Sequence, residues 1–258
     1  MILDELKEEY VVDLLRNNKR PDGRDLMQYR GIKIEKGNLP NAEGSCLAQI
    51  GDTKVLAGVK FDVVAPYKDR PEEGVFQVTS EFLTAAHPEF NPGPPNEGSI
   101  ELARVVDRGI RSANAIDTKK LFLEPEKALG IFVDLYIMDH SGNLIDTAAL
   151  AAMGALQNTK VPKYENAALI RTEFKGPLEL KRNVSVCSFE KISGKLILDA
   201  TDEEEIASDG RFSIATCDGD LVCAAQKSGS AAFKKEEVLN LVDMALEKGK
   251  ELRSLLLR

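Results

Sequence analysis

The stretch from Thr147 to Gln157 constrains the fold more than any other part of this chain. Ala148, Ala149, Ala151, Ala152, Gly154 and Ala155 make more than half of it small residues. Alanine is the strongest helix former, so the run predicts a helix, and its small residues let that helix lie close to a neighbour. Turn chemistry at Ser141-Gly142-Asn143 precedes it, and residues 130–138, before the turn, are rich in β-formers.

The rest of the chain supplies elements to pack around that unit. Leu3, Leu6, Tyr10, Leu14 and Leu15 recur at helical spacing and predict a helix over 3–17. Residues 46–50 and 54–60 flank Gly51-Asp52 and predict a hairpin, with a further strand over 75–83. A Pro/Gly-rich loop over 88–95 leads into a helix over 99–112 whose apolar side is Ile100, Ala103, Val106 and Ile110. Four more strands are predicted over 184–189, 195–199, 212–217 and 221–226, the last two joined by Asp218-Gly219 as a tight turn. A long helix over 234–257 follows, with Val238, Leu241, Val242, Ala245, Leu252 and Leu255 on one face. Strands grouped ahead of helices imply an α+β architecture. Residues 158–176, which hold Pro162, read as a link. The expected organisation is an N-terminal helix and turn (1–24), a first half (25–160) and a second half (161–258).

Composition narrows the function classes. No apolar run approaches the roughly 18 residues of a membrane helix, and acids stand near the N-terminus where a secretion signal carries bases, so a cytoplasmic protein is expected. Cys46, Cys187, Cys217 and Cys223 form no C-x-x-C pair and read as buried free thiols. His87 and His140 are the only histidines and stand in no ligand cluster along the sequence, so no metal and no cofactor is expected. A net charge of −8 argues against a general nucleic-acid-coating surface, which leaves a local basic patch as the way to touch RNA.

Arg20-Pro21-Asp22-Gly23-Arg24 by itself is a turn with two solvated arginines. Followed by Gly44-Ser45 and then Gly51-Asp52-Thr53-Lys54-Val55, it resembles the opening of the RNase PH family, which includes polynucleotide phosphorylase and the ring subunits of the exosome. The resemblance continues through Asp134, Gly142, the alanine-rich helix, Asp199, Glu203-Glu204 and Ile214-Ala215, covering nearly the whole chain. It implies the RNase PH-type fold, with a ribosomal protein S5 domain 2-like first half and a second α/β half. Active members split RNA from its 3′ end with inorganic phosphate.

Position by position, the parts of that machine depart from the active pattern. Where active members carry a hydroxyl and an arginine after the glycine, this chain has Asn143-Leu144-Ile145. An isoleucine cannot counter phosphate charge. The two acid positions fall on Glu205 and Arg211, and an arginine cannot hand on a proton; pairing with Glu205 or Asp209 is its expected role. The Arg-Arg pair expected just before the first-half helix is Glu97-Gly98. The pattern resembles instead the non-catalytic RNase PH-like subunits of the archaeal exosome. That resemblance implies a hexameric ring alternating with a catalytic RNase PH-like partner, a cap of S1- or KH-containing proteins, and no catalysis by this chain.

Arg104, Arg108 and Arg111 stand at i, i+4 and i+7, hence on one helix side. Alone they read as a solvated face paired with Glu101 or Asp107. The resemblance makes them candidate ligands for single-stranded RNA, Arg104 and Arg108 first and Arg111 third, with Lys119 and Lys120 a lesser patch. Two alternatives stay open: that the chain is itself an active phosphorolytic 3′–5′ exoribonuclease, or that it is a ribosome- or small-molecule-binding protein sharing the fold.

Overall fold

The computed structural model describes residues 2–257, with side chains from Glu5 to Leu257. Leu3, part of the first predicted apolar stripe, therefore has a side chain outside the described residues. The chain opens with α1 (Ile2–Arg16), followed by β1 (Ile32–Lys36), β2 (Gly44–Ile50), β3 (Thr53–Val64) and β4 (Val75–Phe82). Next come α2 (Glu97–Ser112), β5 (Phe122–Glu124), β6 (Lys127–Asp139) and α3 (Leu144–Gln157). The strands form one six-stranded sheet in the order β1-β2-β3-β6-β4, with β5 paired to β6. Every pair is antiparallel except β4 with β6, which α2 connects.

The second half holds β7 (Lys160–Glu165), β8 (Ala168–Pro177), β9 (Val184–Ile192), β10 (Lys195–Leu198), α4 (Asp202–Ile206), β11 (Gly210–Cys217), β12 (Leu221–Gly229) and α5 (Lys235–Leu256). Strands β10-β9-β11-β12 make an antiparallel sheet in that order. The segment predicted as a link is the hairpin β7–β8, held by its own ladder. Pro162 inside β7 interrupts the strand signal in the sequence.

The alanine-rich helix is the centre of the molecule. α3 packs against β2 and β3 on one side and β9 on the other, and every residue from Ile145 to Leu156 is buried. A side chain at Gly154 would meet the Cys46 sulfur at 2.5 Å, so the close approach needs glycine there. Leu150, Met153 and Leu156 are fully buried, each contributing roughly 1.5–3 kcal/mol of transfer free energy. α5 covers β9 and β11 from the far side.

Two predicted faces are rotated. On α2 the core side is Leu102, Ala103, Val105, Val106, Gly109 and Ile110, while Ile100 is 49 % exposed. On α1 the buried residues are Val11 and Leu15, which join Ile192, Ile197, Ala200 and Ala207 in a small separate core. Leu6 and Tyr10 are exposed instead, because among the described residues α1 packs mainly on α4 and the small core beside it rather than on a broad surface.

Candidate functional site

Asn96 starts α2: its side-chain oxygen accepts the backbone N–H of Ser99 at 2.8 Å, capping the helix. Glu97 occupies the first turn, exposed, and Gly98 lies beside the Phe82 ring. An acid suits the positive end of a helix, so Glu97 stabilises the start of α2.

The three arginines of α2 have different surroundings. Arg104 is exposed and makes no hydrogen bond or ion pair among the described residues. Arg108 is exposed and donates to the Gln226 side chain on β12 at 3.0 Å. Gln226 donates in turn to Glu101 at 2.7 Å, tying this face of α2 to the second sheet. Arg111 is fully engaged: it forks onto Asp107 at 2.8 and 3.0 Å, donates to the Phe76 carbonyl at 2.6 Å and lies over the Phe76 ring. The Asp107 hydrogen bonds, outweighing burial, raise its pKa. Of the predicted set, Arg104 has no hydrogen-bond or ion-pair partner among the described residues, Arg108 has one exposed bond to Gln226, and Arg111 is held by Asp107 and Phe76. Lys120 pairs with Glu179 at 2.6 Å.

The two arginines of the 20–24 turn are not solvated. Arg20 is buried and forks onto buried Glu204 at 2.6 and 2.8 Å, with two further bonds to the carbonyls of Leu198 and Asp199. Arg24 donates to Asp199 at 2.9 Å, and Arg30 forks onto the same carboxylate at 2.8 and 2.9 Å. Arg30 also donates to the carbonyls of Ser141 and Gly142. Burial pushes the Asp199 carboxyl up, but the Arg30 bonds and charge, with the Asn143 amide, outweigh it and hold it below its ordinary value. These cations fasten the turn ahead of α3 to the junction of β10 and α4.

That turn has tight geometry. Gly142 has φ +91°, and a side chain there would stand 2.3 Å from the Ala200 carbonyl oxygen. Asn143 follows in the left-handed region at φ 55°, as asparagine tolerates. Its amide donates to Asp146 at 3.0 Å and to Asp199 at 2.8 Å, while its buried Oδ1 has no partner. Leu144 packs partly buried against the core and Ile145 is buried in it. Asp146 is fully buried; burial drives its carboxyl up to about 6 although Ser188, Asn143 and Tyr29 all bond it.

The end of α3 that would present N–H groups to a phosphate is already in contact with an acid. Glu205 accepts the Asn143 backbone N–H at 2.8 Å. Burial, then the Glu190 charge, push its carboxyl up to about 7, with Arg211 and that N–H acting in the opposite sense. Arg211 does not form the expected pair with Glu205 or Asp209. Its guanidinium lies 3.7 Å from Glu101 and 3.8 Å from Glu190, while Asp209 accepts the Ser193 N–H. The β-ladder sets this: Arg211 stands opposite Glu190 on β9, so its side chain shares that residue's face of the sheet.

The histidines also depart from expectation, since folding brings them to acids. His140, Asp202 and Glu205 each offer a ligand atom within 4.8 Å of the other two, and His87 lies 3.7 Å from Asp202. Nothing in the linear spacing signals this. Of the cysteines, Cys46, Cys187 and Cys217 are buried and Cys223 is half-buried, all free. No helix is long and apolar enough to cross a membrane among the described residues.

Comparisons with known proteins fit this architecture. The pattern for domain 1 of the 3′ exoribonuclease family (RNase PH) matches residues 28–162, and that for domain 2 matches residues 183–248. The exosome complex component Rrp42 of Thermococcus gammatolerans is 41 % identical over 99 % of this chain and 96 % of its own length. That of Methanothermobacter thermautotrophicus is 41 % identical over 96 % of this chain and 93 % of its own. A chain of the Archaeoglobus fulgidus exosome with RNA bound to the active site superposes with a TM-score of 0.93 at 39 % identity, covering 98 % of this chain and 99 % of that one. With β4 and β6 parallel across α2, an antiparallel second sheet and both domain patterns in sequence, this chain belongs to the 3′ exoribonuclease family of RNase PH.

Proposed function

We propose that this chain is the non-catalytic RNase PH-like subunit of an archaeal exosome, a phosphate-dependent 3′–5′ RNA-degrading complex of the cytoplasm. It alternates with a catalytic RNase PH-like partner in a hexameric ring, capped by S1- or KH-domain proteins. It shapes the partner's active site and offers Arg104 and Arg108 to the phosphates of single-stranded RNA.

The observation that carries this reading is Arg211 at the second acid position, its guanidinium 3.7 Å from Glu101 and 3.8 Å from Glu190 and unable to hand on a proton. A helix N-terminus attracts anions, and at the start of α3 the attraction is met by the chain's own Glu205 carboxyl. Inorganic phosphate would have to enter beside Glu205 and the buried Asp146 and Asp199, with Ile145 in the core and Arg211 turned to Glu101 and Glu190. Exposed Arg104 and Arg108 supply guanidinium forks, which suit backbone phosphates without reading bases. The near full-length likeness to archaeal exosome components and to a chain of an RNA-bound exosome supports the assembly.

The test is co-expression with the catalytic RNase PH-like partner. The expected result is a ring whose mass corresponds to three copies of each chain, and phosphate-dependent RNA degradation that requires the partner. A chain that stays apart from the partner, or degrades RNA without it, refutes the reading.

A further inference from the structure

We propose that His140, Asp202 and Glu205, with His87 beside them, form a binding site for a divalent transition-metal ion, zinc by the chemistry of its donors. The residues come from both halves of the chain. His87 lies in the segment after β4 and His140 in the turn after β6, whereas Asp202 and Glu205 belong to α4. A bound ion would join the two halves at the mouth of the turn that leads into α3.

The geometry is that of ligands short of an ion rather than of a hydrogen-bonded cluster. His140 Nε2 lies 3.9 Å from Asp202 Oδ1 and 4.0 Å from Glu205 Oε2, and His87 Nε2 lies 3.7 Å from Asp202 Oδ2. These spans exceed a hydrogen bond. Donors about 2.0–2.1 Å from a tetrahedral zinc stand roughly 3.3 Å from one another, so each of these three separations would shorten by roughly 0.4–0.7 Å on binding. The Asp202 carboxylate makes no hydrogen bond among the described residues, which leaves both its oxygens for an ion. Glu205 uses Oε1 for the Asn143 N–H and presents Oε2 to His140.

The surroundings orient the donors. Nδ1 of His140 faces the Gly142 N–H and Nδ1 of His87 faces the Glu89 N–H, both at 3.3 Å, so Nε2 of each ring is the atom turned to the acids. Loading moves each ring proton from Nε2 to Nδ1 and gives up those two long contacts. Phe90 stacks on His140 with an interplanar angle of 6° and also meets His87, forming an apolar wall of the kind that sharpens metal sites. An imidazole with two carboxylates, and a second imidazole 3.7 Å from Asp202, match zinc and its neighbours better than magnesium, which keeps oxygen ligands and water.

The site is tested on the full-length, tag-free chain after removal of metals with a chelator. Cobalt(II), the spectroscopic stand-in for zinc, should bind one ion per chain and give the intense visible absorption of a four-coordinate N/O site; zinc should displace it and magnesium should not. His140→Gln and Asp202→Asn keep the local size and should each weaken cobalt and zinc binding by more than the roughly 10–100-fold that loss of an outer-shell partner alone costs. Zinc should raise the melting temperature of the parent chain and not of either variant. Absence of the cobalt spectrum in a folded parent chain overturns the site, as does a spectrum that survives unchanged in both variants.

Discussion

Glu205 and Asn143 are joined by a 2.8 Å hydrogen bond from the backbone N–H that opens α3 to a carboxylate oxygen of α4. The bond crosses from the second half of the chain to the first. It satisfies one of the N–H groups that a helix start leaves without a partner, and it puts an acid at the position where a helix favours an anion. Arg211, which would be the natural counter-charge, is held by Glu101 and Glu190. An acid thus occupies the anion-attracting end of α3, and the cations nearby are committed to protein carboxylates.

The isolated chain should therefore show no phosphorolysis, and one reversal should not create it. Arg211→Asp restores an acid but leaves Ile145, Glu97 and Gly98 as they are, and parts of one catalytic unit act non-additively. Release of nucleoside diphosphates from a uniform RNA, with and without phosphate, measures this for both chains. Turnover by Arg211→Asp alone would show that the other departures are harmless.

The raised pKa of Glu205 makes a stability prediction whose sign is fixed. Its carboxyl moves from an ordinary 4.5 to about 7 on folding, so between those values the folded chain holds more protons than the unfolded one. The contribution is present at low pH and is lost as pH rises through about 7. Glu205→Gln keeps an acceptor for the Asn143 N–H and removes the titration. Relative to the parent in metal-free buffer it should be near neutral at about pH 5 and more stable by roughly 1–3 kcal/mol at about pH 8. Urea unfolding at the two pH values measures the difference, in which Asp146 and Asp199 cancel.

Much of this fold is legible in the sequence because its signals are local. Strands β2, β3 and β6, the helices α2 and α5, and the close packing of α3 against a neighbour follow from periodicity, turn residues and small side chains. The β7–β8 hairpin is hidden by Pro162 and by a solvated surface with many charges, so neither strand shows a clean apolar alternation. Isoleucines 32 and 34 do mark β1, but a short edge strand of that composition gives little signal beside its neighbours. The site is less legible than the fold. Spacing puts Arg104, Arg108 and Arg111 on one helix side, yet only tertiary structure gives Arg111 to Phe76 and Arg108 to Gln226. The clustering of His87, His140, Asp202 and Glu205 depends on segments far apart in the chain, and so does the burial of Arg20 against Glu204.

The Arg20–Glu204 pair gives a further prediction. Both side chains are fully buried and joined at 2.6 Å, so removing one leaves an unpaired charge inside the protein. Glu204→Ala should destabilise the chain by about 3–5 kcal/mol. Arg20→Met with Glu204→Leu removes both charges and should cost distinctly less than the sum of the single changes, because the two residues form one network. Equal and additive losses in urea unfolding would mean that the pair contributes through packing rather than charge.

Arg104 and Arg108 provide the test of RNA contact in the assembled ring. Arg104→Ala/Arg108→Ala leaves untouched the buried side of α2, from Leu102 to Ile110, so the helix should stay in place. Arg104 has no hydrogen bond or ion pair to lose among the described residues, and Arg108 gives up one exposed hydrogen bond to Gln226. Thermal stability should fall by no more than about 1 kcal/mol. If both heads bind backbone phosphates, RNA affinity should fall at low salt, alike for different sequences, because phosphates carry no base identity. Each lost contact to single-stranded RNA should flatten the log–log salt dependence by about 0.7, so the double variant should differ by roughly 1.4. Degradation by the ring should slow in parallel, although every residue of the catalytic partner is unchanged. An unaltered slope with an intact ring would assign both arginines to a solvated face and remove them from the RNA path.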